Sequence, residues 1–431
     1  MKLHTKLSKI WNNETSPFLI KDDKKVYFNQ IKSKNPILDK LKKGSVIALI
    51  GNYNFESISL LINLIDLKAI IVPLTNATKH QHENFFKIAQ VDYILEKGNL
   101  KKRFHNDKNI LIEKLRELNH GGLIAFSSGT SGQPKAILHD TNLFLKKFLV
   151  PRKTYKTINF LLFDHVGGLN TMFHTLFNKG TIVVPKDRSV QEIVKCCQKY
   201  NIELLPTTPS FLRMLMLSNL NFSKIFKSLK IISYGTEIMD KFTLKKLCLL
   251  LPNVDFRQTY GVSELGVFRV KSLSRDSLFI KIEGEGVKTR TNKGMLEIKV
   301  KHPMVGYLNS KSPFTKNGWY KTFDTVIENN GYYQITGRNM DIINVSGLKF
   351  MASEVDTIAM EYPDIVFAKS YPKSNPITGQ HCEMIIEIRK KSKFDKYNFQ
   401  YFLNKNLSSH MVPRKITFSK IKIGHRLKKI I

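Results

Sequence analysis

From residue 44 to residue 235, short runs of aliphatic and β-branched residues alternate with stretches of helical periodicity, and this rhythm restricts the fold more than anything else in the chain. GSVIALIGN (44–52) leads into ESISLLINLIDL (56–67), then AIIVPL (69–74) and VDYIL (91–95). GLIAF (122–126), TIVVP (181–185), VQEIVKCCQKY (190–200), IELLP (202–206) and KIISYG (230–235) continue it. Unbroken apolar strands of four to six residues have no polar face to offer water. They predict an α/β fold, with parallel sheets covered by helices on both faces. After about residue 267 the rhythm changes: SLFIKIEGEGVKTRT, GMLEIKVK and GYYQITGR read as short antiparallel strands with Gly turns. A smaller α+β unit follows, with strands at IINV, IVFAKSY, EMIIEIRK and KITFSKI and helices near SEVDTIAMEY and KYNFQYFLNKNL. Ser353 with Asp356 three residues on suggests an acidic capping box at the first of those helices. The expected division is a large body over residues 1–338, including the small β segment, and a mobile C-terminal α+β domain over 339–431.

The 431 residues suffice for two or three domains with a sizeable core. An apolar fraction of 42% with 28 Phe excludes a disordered chain, although 69 Lys+Arg against 35 Asp+Glu gives a formal charge of +34. Lys is spread along the whole chain, so a solvated basic surface is expected rather than a nucleic-acid site. No window approaches the roughly 18 apolar residues of a membrane span, and the first residues lack the apolar run of a secretory signal. Cys196, Cys197, Cys248 and Cys382 contain no CxxC spacing, which fits neither a disulfide framework nor a zinc site. A soluble, cytoplasmic protein is expected.

After GLIAF comes Ser127-Ser128-Gly129-Thr130-Ser131-Gly132-Gln133-Pro134-Lys135-Ala136. Gly lets backbone N–H groups approach oxygens, hydroxyls donate, and Lys adds charge, so this run suits an anion cradle. It does not fit GxxxxGK[ST]. SSGTSGQPKAILHDTNL resembles the phosphate loop of the acyl-adenylate-forming superfamily, which includes acyl-CoA synthetases, coumarate–CoA ligases, luciferases and peptide-synthetase adenylation domains. Further segments match that family in order: LLFDHVGGLNTMF (161–173), KIISYGTEI (230–238), Tyr260-Gly261-Val262-Ser263-Glu264, GWYKTFDTVIENNGYYQITGR (318–338), DIINVSGLKFMASEVD (341–356), NPITGQ (375–380) and LSSHMVPRKI (407–416).

The resemblance implies an ATP-dependent carboxylic-acid ligase. It would form an acyl-adenylate, release pyrophosphate, and pass the acyl group to CoA or to the phosphopantetheine of an acyl carrier protein. It implies that residues 127–135 wrap the β- and γ-phosphates, with Lys135 beside them and Thr130 near Mg²⁺. Tyr234, Gly235 and Thr236 would border adenine, Tyr260 would stack on it, and Gly261 and Ser263 would complete that element. Glu264 would coordinate Mg²⁺ as a hard oxygen ligand. Asp324 would accept from the ribose hydroxyls, with Arg338 a donor nearby. Lys135 and Glu264 are both expected at an exposed cleft. One departure is Phe323, where the family has Gly before the Asp.

For the acyl pocket two registers are open. If HVGG sets it, His165 is the pocket His, with Gly168 beside it, and Asp164 replaces a Phe. If Phe163-Asp164 sets it, Asp164 matches the carboxylate with which amino-acid-activating members bind an α-ammonium. The continuing Val-Gly-Gly match favours the first, hence a non-amino acid. At the hinge, Met340 stands where the family has Asp or Lys. The family's late catalytic Lys, counted from Val412-Pro413, falls on Lys428, or on Lys429 without a gap. The usual Gly-Lys is missing there, and a protein that binds nucleotide or acyl ligand without turnover is the alternative.

Overall fold

The apolar runs pair as their composition requires. A computed structural model describes residues 2–127, 133–218, 220–389, 392, 394–423 and 429–430. Two seven-stranded sheets form the body. In one, Val46–Ile50, Ile70–Leu74, Tyr93–Glu96 and Gly122–Ser127 run parallel. In the other, Leu19–Lys21, Thr181–Val184, Lys156–Ile158, Leu204–Thr207, Ile231–Tyr234 and Asp255–Gln258 run parallel. In the first sheet Lys135–Asp140 pairs antiparallel with Gly122–Ser127 over six residue pairs, and Gly306–Tyr307 adds antiparallel outside it. A six-stranded antiparallel sheet covers residues 269–338.

Helix Val166–Phe177 lies between the two large sheets. It begins Val-Gly-Gly, and each Gly costs a helix about 1 kcal/mol. Burial of Val166, Leu169, Met172, Phe173, Leu176 and Phe177, at about 2 kcal/mol each, outweighs that several-fold. The same cluster holds Ile47 and Leu49 of one sheet and Leu19 and Ile182 of the other, so this helix joins the two halves of the core.

The last part of the chain has its own core of Ile343, Val355, Ala359, Ile365, Met384, Ile386, Phe399 and Leu403. Its sheet is built on the hairpin of Ile365–Asn375 with Gly379–Ile388, to which Lys415–Phe418 adds in parallel. Helix Ala352–Glu361 is not capped as expected. Glu354 accepts from the Met351 N–H, Ser353 donates to the Thr336 carbonyl, and Asp356 accepts from the Ser370 N–H. The helix starts two residues earlier than the Ser353 spacing requires, with Met351 as its N-cap, which turns Ser353 toward the body and Asp356 into the sheet.

Phe323 adopts φ +60° and its ring is 53% exposed. A left-handed conformation costs a residue with a Cβ roughly 1–2 kcal/mol, and this ring recovers little by burial. Phe323→Gly is therefore expected to raise unfolding stability by about 1 kcal/mol in denaturant titration. Phe323→Ala, which keeps the Cβ, should gain nothing.

All four cysteines are buried and free. No helix among the described residues is long and apolar enough to cross a membrane.

Candidate active site

In open α/β sheets, ligands bind beyond the carboxyl ends of the parallel strands. The residues singled out in the sequence stand at such ends in both sheets: Ser127 as the last residue of Gly122–Ser127, Asp164 and His165 after Lys156–Ile158, Tyr234–Thr236 at the end of Ile231–Tyr234, and Tyr260–Glu264 after Asp255–Gln258. The two sets of ends are tied together. The Tyr53 hydroxyl donates to the Leu162 carbonyl at 3.0 Å, and the Thr75 hydroxyl to Asp164 Oδ2 at 2.9 Å.

Ser128, Gly129, Thr130, Ser131 and Gly132 lie outside the described residues, as does Lys428. Ser127 and Lys135 face each other across a strand pair, so the two ends of the intervening segment are held side by side. Lys135 Nζ sits 5.2 Å from the centre of the Tyr307 ring. The Tyr307 hydroxyl donates to Glu264 Oε1 at 2.6 Å. Burial and the Glu264 carboxylate push both the Tyr307 and the Tyr320 phenols well above their ordinary range. Glu264 is only 8% exposed, so the expectation of an exposed position for it is corrected. The paired tyrosines cover it.

Tyr260 meets Asp324 and Arg338, which face each other across one hairpin far along the chain. The Tyr260 hydroxyl donates to Asp324 Oδ2 at 2.6 Å, and Arg338 Nε lies 3.4 Å from Asp324 Oδ1. The Tyr260 ring is buried and parallel to Phe268 at 6.3 Å, which occupies one of its faces. Nearby, Thr236 holds φ +71°, an outlier for a β-branched residue of the kind that gathers at functional sites. Gly235 and Gly261 are held by close approach: an added Cβ would fall 2.3 Å from Thr259 Oγ1 and 2.7 Å from the Gly266 carbonyl oxygen, respectively. Tyr234 is buried in the hydrophobic cluster beneath, with burial pushing its phenol upward.

Asp164, His165 and Gly168 form a separate group at the start of helix Val166–Phe177. His165 is the N-cap and its Nδ1 accepts from the Gly167 N–H at 3.1 Å. Asp164 is 6% exposed, and its Oδ1 is buried with no hydrogen-bond partner among the described residues. Gly168 packs against the Leu162 carbonyl and the Tyr53 hydroxyl, where a Cβ would fall within 2.3 Å of both. Met340 lies in the 3₁₀ turn Asn339–Asp341, 57% exposed.

The sequence reading missed three side chains. Tyr307 had a signal in the Gly306-Tyr307 pair shortly before GWYKT. Arg213, inside PSFLRMLM, had none. His139, four residues after Lys135, donates from Nε2 to the Ser263 carbonyl at 2.7 Å and so braces the Tyr260–Glu264 segment. A carbonyl can only accept, so Nε2 carries the proton.

Burial pushes the His139 imidazole down to about 4. In the unfolded chain it titrates near its ordinary value of about 6.5, so between those values the unfolded state binds the extra proton. Stability from this residue is complete above pH ~6.5 and is lost as pH falls toward ~4, by about 3 kcal/mol in all. Denaturant titrations from neutral pH to pH ~4 should show this fall, and His139→Gln should flatten it.

Among the described residues no three His, Cys, Asp or Glu side chains gather as a metal site. A cavity of about 460 Å³ lined by Phe86, Lys87, Arg103 and His105 shares none of the site residues, and its Arg103 is already paired with Glu83.

The AMP-binding enzyme family model matches residues 43–284, more than half of the chain, and the chain belongs to that family. It is 24% identical over 327 residues to 4-coumarate--CoA ligase-like 6 of Arabidopsis thaliana, covering 68% of this chain and 58% of that protein. It is 23% identical over 415 residues to the oxalate--CoA ligase of Saccharomyces cerevisiae, covering 89% and 76%. The chain thus spans just under three fifths of the length of the first curated relatives it matches. The fold is shared with ATP-bound MatB from Rhodopseudomonas palustris, at a TM-score of 0.79 and 16% identity, covering 99% of this chain and 97% of that one.

Proposed function

We propose that the chain is an AMP-forming acid–thiol ligase. A carboxylate is a poor electrophile, because its charge repels nucleophiles and oxide is a poor leaving group. One carboxylate oxygen attacks the α-phosphorus of ATP, the bond to pyrophosphate breaks, and an acyl-adenylate remains. A thiolate, of CoA or of carrier-protein phosphopantetheine, then attacks the acyl carbon, and AMP leaves with the oxygen it gained. The observation that carries this reading is the meeting of Tyr260 with Asp324 and Arg338, residues chosen from two separate sequence motifs, beside the segment that bears Glu264.

In this proposal Ser127, residues 128–132 and Lys135 hold the β- and γ-phosphates. Gly235, Thr236 and Tyr260 bound the adenine, with the Tyr234 side chain buried beneath them, and Asp324 and Arg338 meet the ribose. Because the Tyr260 hydroxyl already uses one Asp324 oxygen, the ribose shares that carboxylate with it. Lys428, or Lys429, bridges the incoming carboxylate and the α-phosphate as a cation on a flexible stem. The donors suit Mg²⁺, which favours one or two protein carboxylates with phosphate and water oxygens over an all-protein cage. Glu264 and Thr130 would hold it, and it would neutralise phosphate charge as pyrophosphate leaves. Residues 339–431 act as a lid turning about 339–341, an exposed turn with no buried side chain. The formal charge of +34 favours approach of anionic CoA or an acidic carrier protein in the cytoplasm.

The acid is proposed to be a non-amino carboxylic acid received beside His165. A second reading rests on Asp164 Oδ1, a buried carboxylate oxygen with no hydrogen-bond partner among the described residues, which would suit an α-ammonium although Arg188 already faces this carboxylate electrostatically. Carboxylate-dependent ATP–pyrophosphate exchange over fatty, aromatic, hydroxy and amino acids tests both. Exchange with a non-amino acid supports the first. Strong exchange with an α-amino acid, abolished by Asp164→Ala, moves the chain to the second. Nucleotide binding with no exchange for any acid leaves a binding protein.

A further inference from the structure

Lys135 and Glu264 do not touch, yet one short segment reaches both. Gly306–Tyr307 pairs antiparallel with Ile137 and Leu138, beside Lys135. Asn309 then embraces the Lys135 backbone: its Oδ1 accepts from the Ala136 N–H at 3.0 Å, and its Nδ2 donates to the Pro134 carbonyl at 2.8 Å. The Leu308 N–H adds a bond to the Ala136 carbonyl at 3.0 Å. Between these, Tyr307 turns inward to 8% exposure. Its ring lies 5.2 Å from the Lys135 ammonium, and its hydroxyl is 2.6 Å from Glu264 Oε1. On the far side the Met304 N–H donates to the Glu264 carbonyl at 2.9 Å, so the strap also fixes the Glu264 backbone.

We infer that residues 304–309 form a strap that sets the spacing between the phosphate lysine and the metal carboxylate, with Tyr307 the positioning residue for both. This rests on the ligase reading for the roles of Lys135 and Glu264. The physical logic is a division of one side chain. The ring's negative face favours an ammonium above it. The hydroxyl takes Glu264 Oε1 and thereby orients the carboxylate's second oxygen, as hydrogen-bonded neighbours of metal-binding carboxylates do. A side chain with a ring but no hydroxyl should loosen only the carboxylate. One with neither should loosen both.

The test is calorimetric titration of the full chain with ATP over a series of Mg²⁺ concentrations, with pyrophosphate exchange measured alongside. Tyr307→Phe should raise the Mg²⁺ concentration for half-maximal ATP binding by about tenfold or more, leaving ATP affinity without Mg²⁺ unchanged. Tyr307→Leu should weaken ATP binding without Mg²⁺ as well. Asn309→Ala, at an exposed position that does not endanger folding, should weaken ATP binding while leaving the Mg²⁺ midpoint in place. In a Glu264→Gln background, Tyr307→Phe should have no further effect on that midpoint. The inference is overturned if Tyr307→Phe leaves the midpoint unmoved, or weakens binding equally at every Mg²⁺ concentration. If Tyr307→Phe does not fold, unaltered ATP binding by Asn309→Ala overturns it instead. Wild-type protein that binds ATP without exchange removes the ligase reading and leaves the strap standing on calorimetry. Wild-type protein that binds no ATP removes both.

Discussion

Glu264→Gln and Lys135→Ala are each expected to slow carboxylate-dependent pyrophosphate exchange by about a hundredfold or more, a loss typical of removing one preorganised charge-stabilising group. The two act differently. Gln keeps an oxygen to accept from Tyr307, so the buried contact survives while the negative charge that suits Mg²⁺ is gone. Ala at 264 would instead leave the Tyr307 hydroxyl buried without its acceptor and would confound folding with chemistry. Lys135 is only partly buried, so its removal costs little structure. Exchange rates and denaturant midpoints on the same preparations check both halves. Wild-type exchange in either folded variant would remove that residue from the chemistry.

Arg213 should have an equally large effect on the arrangement of the chain. It belongs to helix Pro209–Met216 of the body and is only 3% exposed. Its Nε donates to the Val366 carbonyl at 2.6 Å, and its Nη2 to the Met360 and Ile365 carbonyls at 2.8 and 3.0 Å. Nη1 is held by Thr243 of the body at 2.9 Å. One guanidinium thus fastens the C-terminal unit to the body by three carbonyls, including one at the end of helix Ala352–Glu361, where a cation is favoured. Three such bonds at a net of about 1 kcal/mol each amount to roughly a hundredfold in the docking equilibrium. Arg213→Met should accelerate proteolytic cleavage at 339–341 by about that factor. Arg213→Lys should recover little, since an ammonium cannot reproduce the planar fork. Unchanged cleavage in both variants would mean that the docking does not depend on Arg213.

Both results bear on what the residues disclosed by themselves. The parallel strands were legible because a strand buried on both faces must be apolar throughout, and Val46–Ile50, Ile70–Leu74 and Ile231–Tyr234 fall within the runs that marked them. The strand Lys135–Asp140 was not singled out: it follows directly on a Gly- and Ser-rich segment, and its pairing is with a strand on the far side of that segment. Tyr260 came from one motif and Asp324 and Arg338 from another, but nothing in the spacing of the two disclosed that they touch. Glu264 was expected in the open because the resemblance places it at an exposed cleft. Its burial depends on Tyr307, which arrives from 43 positions further along the chain. Arg213 carried no signal at all, since its partners are backbone carbonyls and any sequence supplies those. Phe323 was marked as an intrusion into a Gly position, and its left-handed backbone shows the local geometry kept at the cost of strain.

The most direct test of the acyl-adenylate itself follows oxygen. A carboxylic acid that supports exchange is labelled in both carboxylate oxygens with the heavy isotope and incubated with the full chain, ATP, Mg²⁺ and CoA, and the products are weighed by mass spectrometry. If the carboxylate attacks the α-phosphorus and the thiol then attacks the acyl carbon, AMP carries one labelled oxygen, the thioester keeps the other, and pyrophosphate carries none. Label-free AMP, or release of ADP with label in inorganic phosphate, would contradict the acyl-adenylate and with it the assignment of this cleft.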